Sequence, residues 1–425
     1  MIRAHRAEIL SVPRDPMLHG PDAIVHHPDG LLVVEDGHIL ACGPYADLTP
    51  RFAHVPVETH QGLLVPGFVD THVHYPQVGA IASHGGQLLD WLDRHIFPAE
   101  AAFADRAYAD HAAAFFLDAL LAHGTTTALV FPTVHPGSVD ALFTAAQARN
   151  MRIISGKVLM DLGPPDLRDS VDTARTESEA LIARWRGIGR LGYAVTPRFA
   201  LTSSDAQLGV AGALLAAHPD VLLHTHLAEN HGEIAAVAAR FPDAADYLDV
   251  YDRFGLVGPR SVFAHCVHLD DRALGRMAET GAGIACCPTS NLFLGSGLFD
   301  LARADTFGVG VGIGSDVGAG TTLSILHTLG ELYKVCQLRG TTLDPFRALH
   351  LATAGGAAIL GLSDRIGSLA VGQEADFLLL DPAATPMLAQ RTAGRPLADR
   401  LFALQILGDD RAIAATYAAG ERVVR

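Results

Sequence analysis

Lysine is almost absent. The 425-residue chain carries two, Lys157 and Lys334, and even with arginine the basic residues number 31 against 46 acidic ones. At a formal charge of −15 most of the surface repels phosphate backbones and anionic headgroups, so neither a nucleic-acid nor a membrane partner is expected. Cysteine is scarce too. The five (Cys42, Cys266, Cys286, Cys287, Cys336) are odd in number and follow neither a disulfide framework nor a C-x-x-C zinc spacing. They suit a reducing cytoplasm, as small buried hydrophobes. No apolar run with a small-residue cleavage site opens the chain, so no secretory signal is expected. The longest uncharged stretches, Ala119–Val139 and Gly281–Phe299, are broken by Gly, Pro, Thr, Ser and His and do not resemble membrane spans. Only 18% of residues are charged while 49% are apolar, which excludes a disordered chain and implies a large buried core.

Histidine is abundant instead, at 22 residues. Most need no more explanation than a neutral polar surface. The question is whether a minority cluster with ligand spacing.

Residues 1 to about 66 read as short strands and turns, with runs at Ile24–His26, Gly30–Glu35, Ile39–Cys42 and Leu63–Val65. Beyond them, apolar runs alternate with helix-length amphipathic segments, the pattern of βα units on a parallel sheet. Eight strand-like runs are expected: Gly67–His74, Thr125–Phe131, Met151–Met160, Gly192–Phe199, Val221–Leu227, Ser261–Val267, Gly283–Cys287 and Val309–Asp316. Helical patterns such as Ala104–His123, Ser170–Trp185, His231–Arg240, Thr322–Arg339 and Pro345–Leu360 lie between or after them. Eight such alternations imply a (β/α)8 TIM barrel. An open doubly wound sheet ranks lower, because no G-x-G-x-x-G follows a strand and opens a helix. The segments after Ile366 and over Ile413–Val424 are strand-like again. The expected organisation is therefore a β-sandwich domain made from residues 1–66 and 366–425, flanking an α/β barrel over 67–365.

Placed on those strands, a few histidines converge. His72 and His74 are two apart, so they share one face of the first strand. His226, His265 and Asp316 end the fifth, sixth and eighth runs. All five then fall at the C-terminal mouth of a barrel, where such folds build their sites. Four imidazoles and a carboxylate suit a borderline divalent ion, zinc first and iron second. Glu229, three residues after His226, is placed for acid–base work; its ordinary reading is a helix N-terminal carboxylate before the helix that begins near Asn230.

Pro66-Gly-Phe-Val-Asp-Thr-His-Val-His74, His226-x-x-Glu229, His265 and Gly314-Ser-Asp316 resemble the amidohydrolase superfamily in its mononuclear deaminase branch. The segment Ile366-Gly-Ser-Leu-Ala-Val-Gly-Gln-Glu-Ala-Asp376 is similar to that superfamily's C-terminal β signature. A finer resemblance, to its guanine deaminases, runs through His74-Tyr-Pro-Gln77, Leu88-Leu-Asp-Trp-Leu92, Phe97-Pro-Ala-Glu100, Val195-Thr-Pro-Arg-Phe199, Cys287-Pro-Thr-Ser-Asn-Leu292 and Leu407-Gly-Asp-Asp-Arg411.

That resemblance implies one zinc held by His72, His74, His226, His265 and Asp316. It implies guanine bound by Gln77, Arg198 and Phe199 beside His74, His226, Glu229 and Asp316, with Arg198 on the O6/N7 side. Leu88, Trp91 and Phe97 would line or cover the pocket. Glu229 and Asp316 would be catalytic, giving xanthine and ammonia from guanine and water, in a homodimer. Arg and Gln suit a flat heterocycle rich in carbonyl and ring-nitrogen groups. The nearest rival is a deaminase or dechlorinase of the same branch acting on a pterin, an oxidised purine or a triazine. Lys157 reads as structural, so one metal is preferred over two. A cytidine-deaminase-type site is excluded, because no P-C-x-x-C accompanies His231-Gly-Glu233.

Overall fold

The computed structural model describes residues 2–423. Eight parallel strands follow one another in chain order around a nearly closed barrel: Phe68–His74, Thr125–Phe131, Arg152–Ser155, Gly192–Pro197, Leu222–Leu227, Ser261–His265, Gly283–Cys286 and Val311–Ile313. The first and last strands meet at their C-terminal ends, where Asp316 N–H donates to the His72 carbonyl at 2.9 Å and His74 N–H to the Val317 carbonyl at 3.0 Å. Every residue of Phe68–His74, Thr125–Phe131 and Ser261–His265 is buried, as strands covered on both faces must be.

The third expected run, Met151–Met160, is interrupted. Arg152–Ser155 and Val158–Leu159 both pair with the fourth strand, and Gly156 lies between them. A Cβ on Gly156 would sit 1.9 Å from the Ala194 carbonyl, so only glycine permits this approach. The expected helix Pro345–Leu360 likewise holds a π-helical turn at Leu351–Gly355. A further barrel helix, Pro136–Ala148, lacked a strong periodic signal and was not anticipated.

The terminal segments build a separate seven-stranded mixed sheet. Phe377–Leu380 pairs antiparallel with Val57–Pro66, which pairs parallel with Ile2–Ser11. The sheet curls on itself, so that Leu32, Val34 and Ile39 from one half share a core with Phe377, Leu379 and Tyr417 from the other. Of the tail expected over Ile413–Val424, Ile413–Ala418 and Glu421–Val423 are strands, and Val424 lies outside the described residues. Two helices within the C-terminal segment, Pro386–Thr392 and Leu397–Leu407, were not anticipated. The second packs on barrel helix Ile325–Leu338 through Phe402 and Tyr333, whose ring centroids are 4.8 Å apart.

Sheet and barrel are tied by charges that are buried or half-buried. Arg152 donates to Glu374 through Nε at 3.0 Å and through Nη2, and Arg190 Nε reaches the same carboxylate at 2.7 Å while its Nη2 pairs with Asp376. No described helix is long and apolar enough to cross a membrane.

Candidate active site

His72 and His74 project together from the first barrel strand, as their spacing of two requires. His226 stands one residue from the end of Leu222–Leu227, His265 ends Ser261–His265, and Asp316 follows Val311–Ile313 by three residues. His265 and Asp316 hold left-handed backbone conformations, with φ of 70° and 49°, which turn their side chains in at the barrel mouth. Asp70 braces this end: it accepts from Ser315 N–H at 3.1 Å, from Ser315 Oγ at 2.5 Å and from His72 N–H at 3.2 Å.

The ring nitrogens meet at one point. His74 Nε2 lies 3.2 Å from both His72 Nε2 and His226 Nε2; Asp316 Oδ1 lies 3.1 Å from His72 Nε2 and 3.4 Å from His74 Nε2. His265 Nε2 is 3.7 Å from Asp316 Oδ2, and this buried nitrogen has no hydrogen-bond partner among the described residues. The opposite sides of three rings are anchored. His226 Nδ1 donates to the Arg198 carbonyl at 2.7 Å, His265 Nδ1 donates to Asn291 Oδ1 at 2.9 Å, and His72 Nδ1 shares a 2.7 Å hydrogen bond with His224 Nε2. Anchoring Nδ1 leaves the Nε2 lone pairs aimed inward, the arrangement of imidazoles that ligate a metal. Burial keeps the rings in the neutral, ligating form: it lowers the pKa of His72, takes that of His74 to about 3, and holds that of His226 well below its usual value. Against burial, the neighbouring His72, His74 and His265 hold Asp316 well below the usual carboxylate range. His72, His226, His265 and Asp316 form a group able to hold a metal ion, with His74 Nε2 at its edge.

Glu229 stands over this group, with Oε2 at 3.5 Å from His265 Nε2 and Oε1 accepting from Ser296 Oγ at 3.2 Å. Burial, and then the Asp316 charge, push its carboxyl up to about 8. Its position is set by the helix that follows. Asn230 caps His231–Arg240, and Glu233 accepts from the N–H groups of Glu229 at 2.9 Å and Asn230 at 3.2 Å.

Beside Glu229 opens a pocket at the barrel mouth. Its lining includes all nine residues expected at the ligand: His74, Gln77, Leu88, Trp91, Arg198, Phe199, His226, Glu229 and Asp316. Phe97 lies beneath Arg198, with the guanidinium carbon 5.2 Å from its ring centroid. The buried ammonium of Lys157 is taken up by Asp169 and, at 3.3 Å, by Glu177.

Sequence reasoning missed four residues around the site. His224 and Asn291 orient ring nitrogens, Ser296 touches Glu229, and Glu100 accepts from both Gln77 and Arg198. His224 carried a signal, because it lies two before His226 on the same strand face.

Residues 63–423 match the amidohydrolase family. The guanine deaminase of Escherichia coli K12 is 50% identical over 399 residues, covering 93% of this chain and 91% of that protein. A solved E. coli guanine deaminase superposes with a TM-score of 0.97 at 48% identity, covering 99% of each chain. The C. acetobutylicum guanine deaminase with guanine in its active site gives 0.91 at 27% identity, covering 100% of each chain. An adenosine deaminase of Xanthomonas campestris with bound zinc gives 0.84 at 25% identity over 99% of this chain and 92% of that one. By its sequence match across both segments of the fold and by the converging imidazoles at the barrel mouth, this chain belongs to the amidohydrolase family.

Proposed function

We propose that this protein is a zinc-dependent enzyme that hydrolyses guanine to xanthine and ammonia. The observation that carries the reading is a metal-binding group under a protonatable Glu229, walled by Gln77 and Arg198, in a chain half identical to a guanine deaminase. His72, His74, His226, His265 and Asp316 would hold the ion, and the N/O donor set and the zinc-bound relative favour zinc. Bound zinc would supply Lewis acidity, lowering the pKa of water towards neutrality.

The remaining work falls to the chain. Asp316, held ionised, accepts a hydrogen bond from the attacking water and aligns it on C2 of the ring. Glu229 takes up one proton of that water and delivers it to the adjacent ring nitrogen as the oxygen bonds to C2; it then carries the remaining hydroxyl proton to the 2-amino group, so that the C2–N bond breaks, the C2 carbonyl of xanthine forms, and one water is consumed for one ammonia released. A carboxyl near pKa 8 in its apolar setting both holds and gives a proton near neutrality. Arg198 and Gln77 orient the purine, while Leu88, Trp91 and Phe199 exclude bulk water.

Ultraviolet monitoring of guanine with the purified protein tests the reading. Conversion to xanthine that stops on chelation and returns with zinc is expected. Indifference to guanine, with ammonia released from a pterin or triazine instead, would overturn it. Metal analysis should find about one zinc per chain, and iron in its place would overturn the choice of ion. The same reading takes the enzyme as a cytoplasmic homodimer, which cell fractionation and sedimentation check.

A further inference from the structure

Gln77 and Arg198 follow the ends of different barrel strands, yet one carboxylate holds both. Glu100, on the short helix Phe97–Ala101 and 1% exposed, accepts from Gln77 Nε2 at 3.0 Å and from Arg198 Nη1 at 2.8 and 2.6 Å. A carboxylate so engaged only accepts, so it dictates that the Gln77 amide presents its NH₂ side to Glu100. Gly318 N–H, at 3.2 Å, fixes the other end by donating to Gln77 Oε1. One of the two lone pairs of Gln77 Oε1 is thereby taken. Both residues line the cavity, where Gln77 keeps one N–H beyond the one given to Glu100 and Arg198 Nη2 has no hydrogen-bond partner among the described residues.

We propose that Glu100 is a specificity-determining positioning residue. By holding the Arg198 guanidinium and the Gln77 NH₂ group it makes this wall of the pocket rich in donors, and so selects heterocycles that present carbonyl and ring-nitrogen acceptors over those that present an amino group there. The inference rests on the proposed purine substrate, and concerns how the 6-oxo group is told from a 6-amino group. A site of matched donors rejects a mismatched ligand by orders of magnitude, because its own buried groups are left unpaired. Gln at position 100 would keep one acceptor and turn the other oxygen into a donor 2.6 Å from the Arg198 donor, displacing the guanidinium.

The test compares kcat and KM for guanine and for 2,6-diaminopurine, which carries an amino group in place of the 6-oxo group, in the zinc-loaded wild type, Glu100→Gln and Glu100→Asp. Wild type should favour guanine by about a hundredfold or more in kcat/KM. Glu100→Gln should raise KM for guanine about tenfold, leave kcat within about threefold, and narrow the preference by about tenfold or more, the weight of one charge-assisted hydrogen bond. Glu100→Asp, with its carboxylate withdrawn by one methylene, should raise KM for guanine while keeping the preference. An unchanged ratio in Glu100→Gln overturns the inference. So does an unchanged KM in Glu100→Asp, which decides the matter if Glu100→Gln does not fold. A wild type inert towards guanine would instead overturn the proposed function.

Discussion

Glu229 and Asp316 are carboxylates at the same mouth with opposite leanings, the one pushed up by burial and the other held down by imidazoles. In the proposed reaction the raised carboxyl, Glu229, is the one that exchanges protons near neutrality, while Asp316 stays ionised. Glu229→Gln should therefore lower turnover of guanine by about two to four decades with metal content unchanged, measured by steady-state kinetics beside metal analysis. Near-full activity in that variant would remove Glu229 from proton transfer. Asn291 acts one step away, through His265 Nδ1. Asn291→Ala should weaken metal binding about 10- to 100-fold, read by competition with a chelator, because the ring loses the acceptor that orients it. The convergence of His72, His74, His226, His265 and Asp316 was legible in the sequence because strand period and strand ends carry their own signal. Glu100 and Asn291 were not, since their partners lie 98 and 26 residues away and only the closed barrel brings them together.

At the scale of elements, the alternation of apolar runs and helices disclosed all eight barrel strands, because strands buried on both faces leave uninterrupted apolar sequence. It did not disclose the break at Gly156, where the cause is a neighbouring backbone rather than any local preference. Gly156→Ala should destabilise the protein by about 3 kcal/mol, the upper range for overpacking, as a lower urea midpoint. A loss under about 1 kcal/mol would mean that the two strands separate without strain. The same close approach leads the chain into Val158–Leu159 and on to the loop whose Asp161 accepts from Ser204 N–H and Oγ, so the variant should also disturb the wall that carries Arg198.

Across the whole molecule, the barrel and the terminal sheet are clasped by Arg152, Arg190, Glu374 and Asp376. Burial pushes Glu374 up, but the two guanidinium groups outweigh it and leave its carboxyl below the ordinary value. A carboxyl lowered in the folded state contributes stability that is full above its unfolded pKa and is lost as pH falls through its folded pKa. Urea midpoints of the wild type should therefore drop more steeply between neutral and acid pH than those of Glu374→Gln; parallel profiles would show that this carboxylate does not couple pH to stability. At neutral pH, Glu374→Ala, which leaves Arg152 without a carboxylate while Arg190 keeps Asp376, should remove about 3 kcal/mol. The pairing of Val57–Pro66 with Phe377–Leu380 bears on how the chain is made. Until residue 377 leaves the ribosome, the strand that leads into the barrel has one edge of its backbone open, beside apolar Leu63, Leu64 and Val65. That edge is the natural place for nascent chains to join one another by mistake, and for a chaperone to be needed while the barrel between the two strands is synthesised.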